Sequence, residues 1–277
     1  MAAEGVLATL EELVGAIPDA SSVIAPTDSN GVPMAATRSL IRRGARDLHL
    51  IGGATAGLMA DLLIGAGCLA EIETAAVSLG EFGLAPRFRA AVEAGELRVR
   101  DSTCPAIHGA LQAAEKGNPF MPLRGLIGSD LMHHRPDWKV IDNPFAAPGT
   151  DKIVLLPALV PDIALFHAAY GDRDGNVWIG LRREVMTMAH AARHTLVTVE
   201  RIHDGSLLDD PAMAAGTLPA LYVDRIAVCP QGCWPLGFAD LYPADADHMR
   251  AYAAAARTGE GFRAYLKSHV LIAAAAE

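Results

Sequence analysis

Residues 151–180 read DKIVLLPALVPDIALFHAAYGDRDGNVWIG, and their pattern decides the fold class. A lysine-led apolar run, residues 153–156, is interrupted by Pro157 and Pro161, and a second run, residues 163–168, follows Asp162. Two short apolar runs containing β-branched residues have the composition of strands buried on both faces in a parallel or mixed α/β sheet. The second run ends in the turn formers Tyr170, Gly171, Asp172, Arg173, Asp174, Gly175 and Asn176. Asp174-Gly175 is a tight-turn dipeptide, after which Val177-Trp178-Ile179 resumes a strand. A buried strand that feeds a polar tip is where open α/β sheets place their sites.

The alternation extends outward from this stretch. Strand patterns at residues 23–24, 48–51, 69–72 and 97–99 alternate with helix patterns at 31–43, opened by Gly31-Val32-Pro33, 58–64, 86–93 and 106–115. Strands at 153–156, 163–167, 196–199 and 226–228 are expected to continue the same sheet, and helices over 244–256 and 262–270 close the chain. The fold class expected is α/β: a doubly wound, mostly parallel, Rossmann-like sheet flanked by helices, in a single domain over residues 1–277. Residues 118–149, NPFMPLRGLIGSDLMHHRPDWKVIDNPFAAPG, carry little periodicity. A structureless run of this length is functional or covers an interface, and Phe120, Met121, Leu126, Ile127, Leu131, Met132 and Trp138 favour the interface.

Composition bounds the function. The chain has 277 residues, 51% of them hydrophobic, enough for a substantial core. No apolar stretch reaches the roughly 18 residues a membrane span needs. The opening MAAEGVLATLEELVGAIPDA carries Glu4, Glu11 and Glu12, lacks the basic start of a secretory signal and reads as an amphipathic helix, so a cytoplasmic location is expected. A net charge of −9 argues against nucleic acid or an anionic membrane as partner. Cys229 and Cys233 bracket Pro-Gln-Gly, which is not a zinc spacing, and Cys68 and Cys104 stand alone, so no metal is expected. His190 and His194 have the four-residue spacing of a zinc helix without its glutamate. The DRDGNV turn starts like a calcium loop, but Val177 and Arg183 occupy its sixth and twelfth positions. His167, inside an apolar strand, reads as a core histidine with its hydrogen bonds met. His133-His134-Arg135 is either an exposed basic patch or a solvated loop. The chain has no internal repeat, and only the alanines at 273–276 are of low complexity.

Several blocks resemble, in order, the α subunit of the family I coenzyme A transferases, the group that includes glutaconate CoA-transferase. Asp162-Ile163-Ala164, His167-Ala168 and the turn from Asp172 to Asn176 are similar to that family's D-V-A-x-x-H-A strand and following turn. Asn30-Gly31-Val32-Pro33, Gly52-Gly53-Ala54-Thr55-Ala56-Gly57, Pro119-Phe120-Met121-Pro122 and Ile141-Asp142-Asn143-Pro144-Phe145 are similar to further blocks, the last to its I-D-N-P-F signature. Two departures stand out. Ala25-Pro26-Thr27 lie where relatives place paired glycines, and Pro230-Gln231-Gly232-Cys233-Trp234-Pro235 lacks the histidine of their P-x-G-A-H-P segment.

The resemblance implies the α subunit of a heteromeric acyl-CoA:carboxylate CoA-transferase, at least α2β2. The nucleophilic glutamate would come from a separate β subunit, and coenzyme A would enter as part of the substrate with no other cofactor. No stretch resembles the β-subunit S-E-N-G segment, so no catalytic residue is expected in this chain, with Glu81 and Cys104 as the alternatives. The expected substrate-binding residues are Asn30, Gly31, Gly52, Gly53, Ser78, Gly80, Glu81, Cys104 and Phe120. Gly52-Gly53 is either a ligand loop, where backbone amides and a helix N-terminus approach an anion, or a plain tight turn. Cys104 aligns with a glutamine in glutaconate transferases and a glutamate in a related ring-opening hydrolase branch. It is a small wall residue, or a nucleophile if its pKa is lowered. Glu81 is a solvated or substrate-adjacent carboxylate. Ser78, Gly80, Glu81 and Cys104 are expected to converge on one pocket, and the cysteine favours a less polar acyl group than glutaconate. The alternatives are a CoA-dependent hydrolase or ring-opening enzyme on the same scaffold, and a non-catalytic small-molecule-binding module.

Overall fold

A computed structural model describes residues 5–272. Seven parallel strands run across its main sheet in the order Arg225–Val228, His194–Ile202, Ile163–Gly171, Ser22–Ala25, Leu48–Gly52, Leu69–Thr74 and Arg98–Asp101. Two short antiparallel strands, Val177–Trp178 and Thr217–Leu218, extend it from the far end of Ile163–Gly171. Chain order therefore runs outward in both directions from the pair Val23–Ile163 and Ile24–Ala164, the switch point at which open α/β sheets bind ligands.

Both faces of the sheet are covered, which is why its central strands lack an apolar–polar alternation. On one face Val23, Ala25, Leu48 and Leu50 pack against Leu40 of the helix Met34–Arg43 and Leu62 and Leu63 of the helix Leu58–Gly65. Tyr252 and Phe262 of the two C-terminal helices, Ala246–Ala255 and Gly259–His269, close the same layer. On the other face Ile24, Ile51 and Ala164 meet Ile107 and Leu111 of the helix Cys104–Glu115, with Met188 of the helix Arg183–Ala191. The opening helix, Leu10–Gly15, is started by a reciprocal capping box between Thr9 and Glu12. No helix among the described residues is long and apolar enough to cross a membrane. Glu4 and the alanines at 273–276 lie outside the described residues.

Three expectations are corrected. Lys152–Pro157 does not join the main sheet but pairs antiparallel with Phe120–Leu123 on one side and Lys139–Asp142 on the other. Val154 and Leu156 are buried against Trp138 and Ala106 in this small sheet's own core, and an apolar run cannot reveal which sheet buries it. Residues 118–149 are accordingly not structureless; Pro122 is tolerated because its strand is an edge strand, and the short helix Leu131–His134 follows. Finally, the helix Arg183–Ala191 ends before His194, which opens the next strand, so the two histidines share no helical face.

Candidate functional site

A cleft of about 810 Å³ opens at the C-terminal ends of Ser22–Ala25, Leu48–Gly52 and Leu69–Thr74. Each of these strands contributes the loop that follows it: Thr27, Asp28 and Ser29 from the first, Thr55, Ala56 and Gly57 from the second, and residues 78–82 from the third. Short parallel pairing of Thr55–Ala56 with Ala76–Val77 sets the second and third loops side by side. Leu236, Phe238, Tyr242 and Met249 form the opposite wall.

Asp28 sits in the wall of this cleft. Its Oδ2 accepts the Leu58 amide at 2.9 Å, capping the helix Leu58–Gly65 from a distant loop. Its Oδ1 is buried without a hydrogen-bond partner. Burial pushes the carboxyl up to about 6 and outweighs the lowering effect of the Leu58 amide. The carboxyl occupies the space a Cβ on Gly57 would fill, so the glycine at that position admits Asp28 to the helix start.

The second wall rests on a carboxylate shared by three donors. Glu200 Oε1 takes hydrogen bonds from His167 Nε2 and the Tyr242 hydroxyl, both at 2.7 Å, and Oε2 takes the Gln231 amide at 2.7 Å. Burial pushes Glu200 up, but these three hydrogen bonds outweigh it and hold the carboxyl below its ordinary value. Burial holds His167 below its ordinary value despite Glu200, so the ring is neutral at pH 7. That assigns the Nε2 proton toward Glu200 and leaves Nδ1, 2.8 Å from Thr198 Oγ1, as acceptor. Burial raises the acid groups of Tyr242 and Cys233, so neither is poised to ionise. Arg182 lies beneath this wall, over the Phe238 ring at 4.9 Å, and donates to the carbonyls of Asn30 and His167.

The expected site residues separate into groups. Ser78, Gly80 and Glu81 line the cleft. Asn30 and Gly53 line a neighbouring hollow of about 420 Å³ with His108, Gln112 and Glu184, and Thr27 borders both spaces. The Asn30 side chain donates to Glu184 at 2.6 Å. Gly31, at φ 89°, and Gly52 are close-packing positions where a side chain would strike the His167 carbonyl and Thr74 respectively. Cys104 and Phe120 lie outside the cleft, so the expected convergence of Cys104 with Ser78, Gly80 and Glu81 does not occur. Cys104 follows the outermost strand and starts a helix that packs on the opposite face of the sheet, where its thiol is exposed. Phe120, 44% exposed, stands on the edge strand of the small sheet.

Other titratable groups are structural. Arg135, read from the sequence as part of a basic patch or solvated loop, is buried and pairs with Glu73 and Asp137, each at 2.9 Å. Asp172 is fully buried and accepts the amides of Asp174, Asn176 and Leu207, which makes the DRDGNV turn a carboxylate-centred turn. The described residues contain no group of three or more side chains able to hold a metal. Asp28, Tyr242 and Phe238 were not singled out from the sequence. The one available signal was the replacement of paired glycines by Ala25-Pro26-Thr27, directly before Asp28.

Residues 8–228 match the coenzyme A transferase family. This chain belongs to that family. It is 34% identical over 257 residues to the A subunit of the glutaconate CoA-transferase of Acidaminococcus fermentans, covering 86% of this chain and 78% of the relative. It is 32% identical over 272 residues to the A subunit of the 3-oxoadipate CoA-transferase of Pseudomonas knackmussii, covering 95% and 93%. The crystal structure of the Acidaminococcus fermentans glutaconate coenzyme A-transferase superposes with a TM-score of 0.89 at 28% identity, over 96% of this chain and 89% of that one. Within the family the scaffold also carries other chemistry. The cholesterol ring-cleaving hydrolase IpdA subunit of Rhodococcus jostii is 28% identical over 95% of this chain and 90% of that relative. The crystal structure of a variant of the decarboxylase AibA/AibB superposes with a TM-score of 0.80 at 31% identity, over 94% of this chain and 98% of that chain.

Proposed function

We propose that this coenzyme A transferase family chain is the α subunit of a heteromeric acyl-CoA:carboxylate CoA-transferase, and that its partner β subunit supplies the nucleophilic glutamate. The carrying observation is similarity along nearly the whole chain to two proteins that are each the A subunit of a CoA-transferase. The cleft's own chemistry is consistent with it. Its two acids are Asp28, tied to Leu58, and Glu81, exposed at a loop tip, and no base faces either from the lining residues.

In the reaction proposed, the partner's glutamate carboxylate attacks the acyl-CoA carbonyl and expels the CoA thiolate, forming a mixed anhydride. The thiolate attacks the glutamyl carbonyl of the anhydride and releases the first carboxylate, leaving a glutamyl-CoA thioester. The acceptor carboxylate repeats the two steps in reverse. Two acyl exchanges replace one difficult transfer and conserve the thioester energy. This chain would hold the acyl group in the cleft, with Ser78, Gly80, Glu81 and Thr27 at the wall, and keep water from the anhydride. Asn30 and Gly53 would belong to the adjoining hollow, and Gly31 and Gly52 would shape the loops. Cys104 and Phe120 fall outside this acyl site.

The proposal includes a cytoplasmic location, one domain over residues 1–277, no cofactor beyond coenzyme A as substrate, and assembly as at least α2β2. The small sheet exposes Phe120, Val140 and Ile141, with Phe145 after it 96% exposed, a surface suited to cover by the partner. The ring-opening hydrolase reading is weaker, because its branch places a glutamate where this chain has Cys104. Co-expression with a β-like chain from the adjacent gene, followed by mass measurement and a CoA-transfer assay, tests the proposal. A heteromer that transfers CoA, with neither chain active alone, is expected. A fully active lone chain would overturn it.

A further inference from the structure

Charge inside the cleft bears on which acids it accepts. Among the described residues that line it are two carboxylates, Asp28 and Glu81, the hydroxyls of Thr27, Ser29, Thr55 and Ser78, and no lysine, arginine or histidine. The nearby cations lie outside its lining. Arg182 sits behind Phe238 with its guanidinium on backbone carbonyls. Arg87 and Arg257 lie beyond Phe82 in a separate hollow. A second carboxylate carried into the cleft on the acyl group would meet two like charges and no counter-ion among the lining residues, a juxtaposition that suppresses binding of the wrong partner. The Oδ1 of Asp28 is buried without a hydrogen-bond partner, so within the wall the Leu58 amide is the one hydrogen bond that offsets this carboxylate's charge.

Building on the transferase reading above, we infer that the acyl groups handled here are neutral, and that a second carboxylate on the acid is selected against. Asp28 is the residue that enforces the choice and Glu81 the auxiliary. This sets the chain apart from relatives whose names specify glutaconate and 3-oxoadipate, both dicarboxylates.

The test uses the assembled complex and two acceptors of nearly equal shape, glutarate and its monoamide glutaramate, with acetate as a reference acceptor. The amide replaces the distal carboxylate by a neutral N–H donor. The expected result is a kcat/KM for glutaramate at least about tenfold above that for glutarate, the factor that corresponds to about 1.4 kcal/mol. Asp28→Asn, which keeps an acceptor oxygen for the Leu58 amide, is expected to shrink that ratio several-fold. Glu81→Gln, at an exposed loop tip, is expected to shift it in the same direction and serves if the first variant does not fold. A wild-type ratio below about tenfold, or one that a folded Asp28→Asn protein leaves unchanged, overturns the inference while transfer to acetate keeps the transferase reading in place. A complex that transfers CoA to none of the three acids overturns both.

Discussion

Asp28 and Leu58, thirty positions apart, are joined by a single 2.9 Å hydrogen bond from the Leu58 amide to the Asp28 carboxyl. It fastens the loop after the first strand to the first turn of the helix after the second, and so sets one side of the cleft. Gly57 makes the approach possible, since a side chain there would occupy the carboxyl's position. One oxygen of the pair is satisfied and the other is not, which makes this contact both a structural clamp and a source of electrostatic strain.

That strain has a defined pH dependence. The Asp28 carboxyl is pushed from an ordinary 3.8 to about 6 in the folded protein, so the folded state holds its proton over an interval where the unfolded state has lost it. Stability therefore falls as pH rises from about 4 to 6, and the full penalty is present above 6. Asp28→Asn is expected to stabilise the protein by about 1–3 kcal/mol at pH 8 and by much less at pH 4. Chemical denaturation at the two pH values checks this; an equal effect at both would contradict it.

Arg135 holds the small sheet to the main one. Its guanidinium pairs with Glu73 and Asp137, donates to the Asp101 carbonyl and stacks over Trp138 at 4.2 Å. Arg135→Met would leave Glu73, only 4% exposed, with much less compensation, at a cost of about 3–5 kcal/mol. Limited proteolysis should then cut within residues 118–149 before the rest of the chain. Unchanged stability and an unchanged cleavage pattern would show that the small sheet is held by its apolar contacts alone.

The Glu200 cluster predicts a different pH response. His167 is held below its ordinary 6.5 by burial, so the unfolded chain binds the extra proton first and stability falls as pH drops below about 6.5. Glu200, also held low, adds to the loss below its ordinary 4.5. Tyr242→Phe removes one of the three donors to Glu200 and should cost about 1 kcal/mol, whereas Glu200→Ala strands the His167 and Tyr242 donors and should cost more. Urea midpoints of the two variants at pH 7.5 decide the order. A Tyr242→Phe protein less stable than Glu200→Ala would contradict the shared-carboxylate arrangement.

The central architecture was legible because its strands are buried on both faces. Residues 163–168 are apolar almost throughout because their strand is buried on both faces of the main sheet. Residues 153–156 carried the same signal and belong to another sheet, because burial leaves a mark in composition while pairing partner and direction do not. His167 read correctly as a core residue, yet nothing in the chain announced Glu200 or Tyr242 as its partners, since those contacts span 33 and 42 positions. Ser78, Gly80 and Glu81 line the cleft because they follow a strand whose C-terminal end opens onto it. Cys104 also follows a strand, but its helix packs on the opposite face, and strand-end position alone carries no information about face. Asp28 was hidden for a related reason: its role depends on Gly57, whose missing side chain matters only once the two loops are side by side.

The most direct test of the account is the location of the covalent intermediate. The purified complex, incubated with acyl-CoA without an acceptor acid, should carry a coenzyme A thioester detectable by intact-chain mass spectrometry. The added mass is expected on the partner chain and none on this one. A coenzyme A adduct on this chain, at Glu81 or any other glutamate, would contradict it.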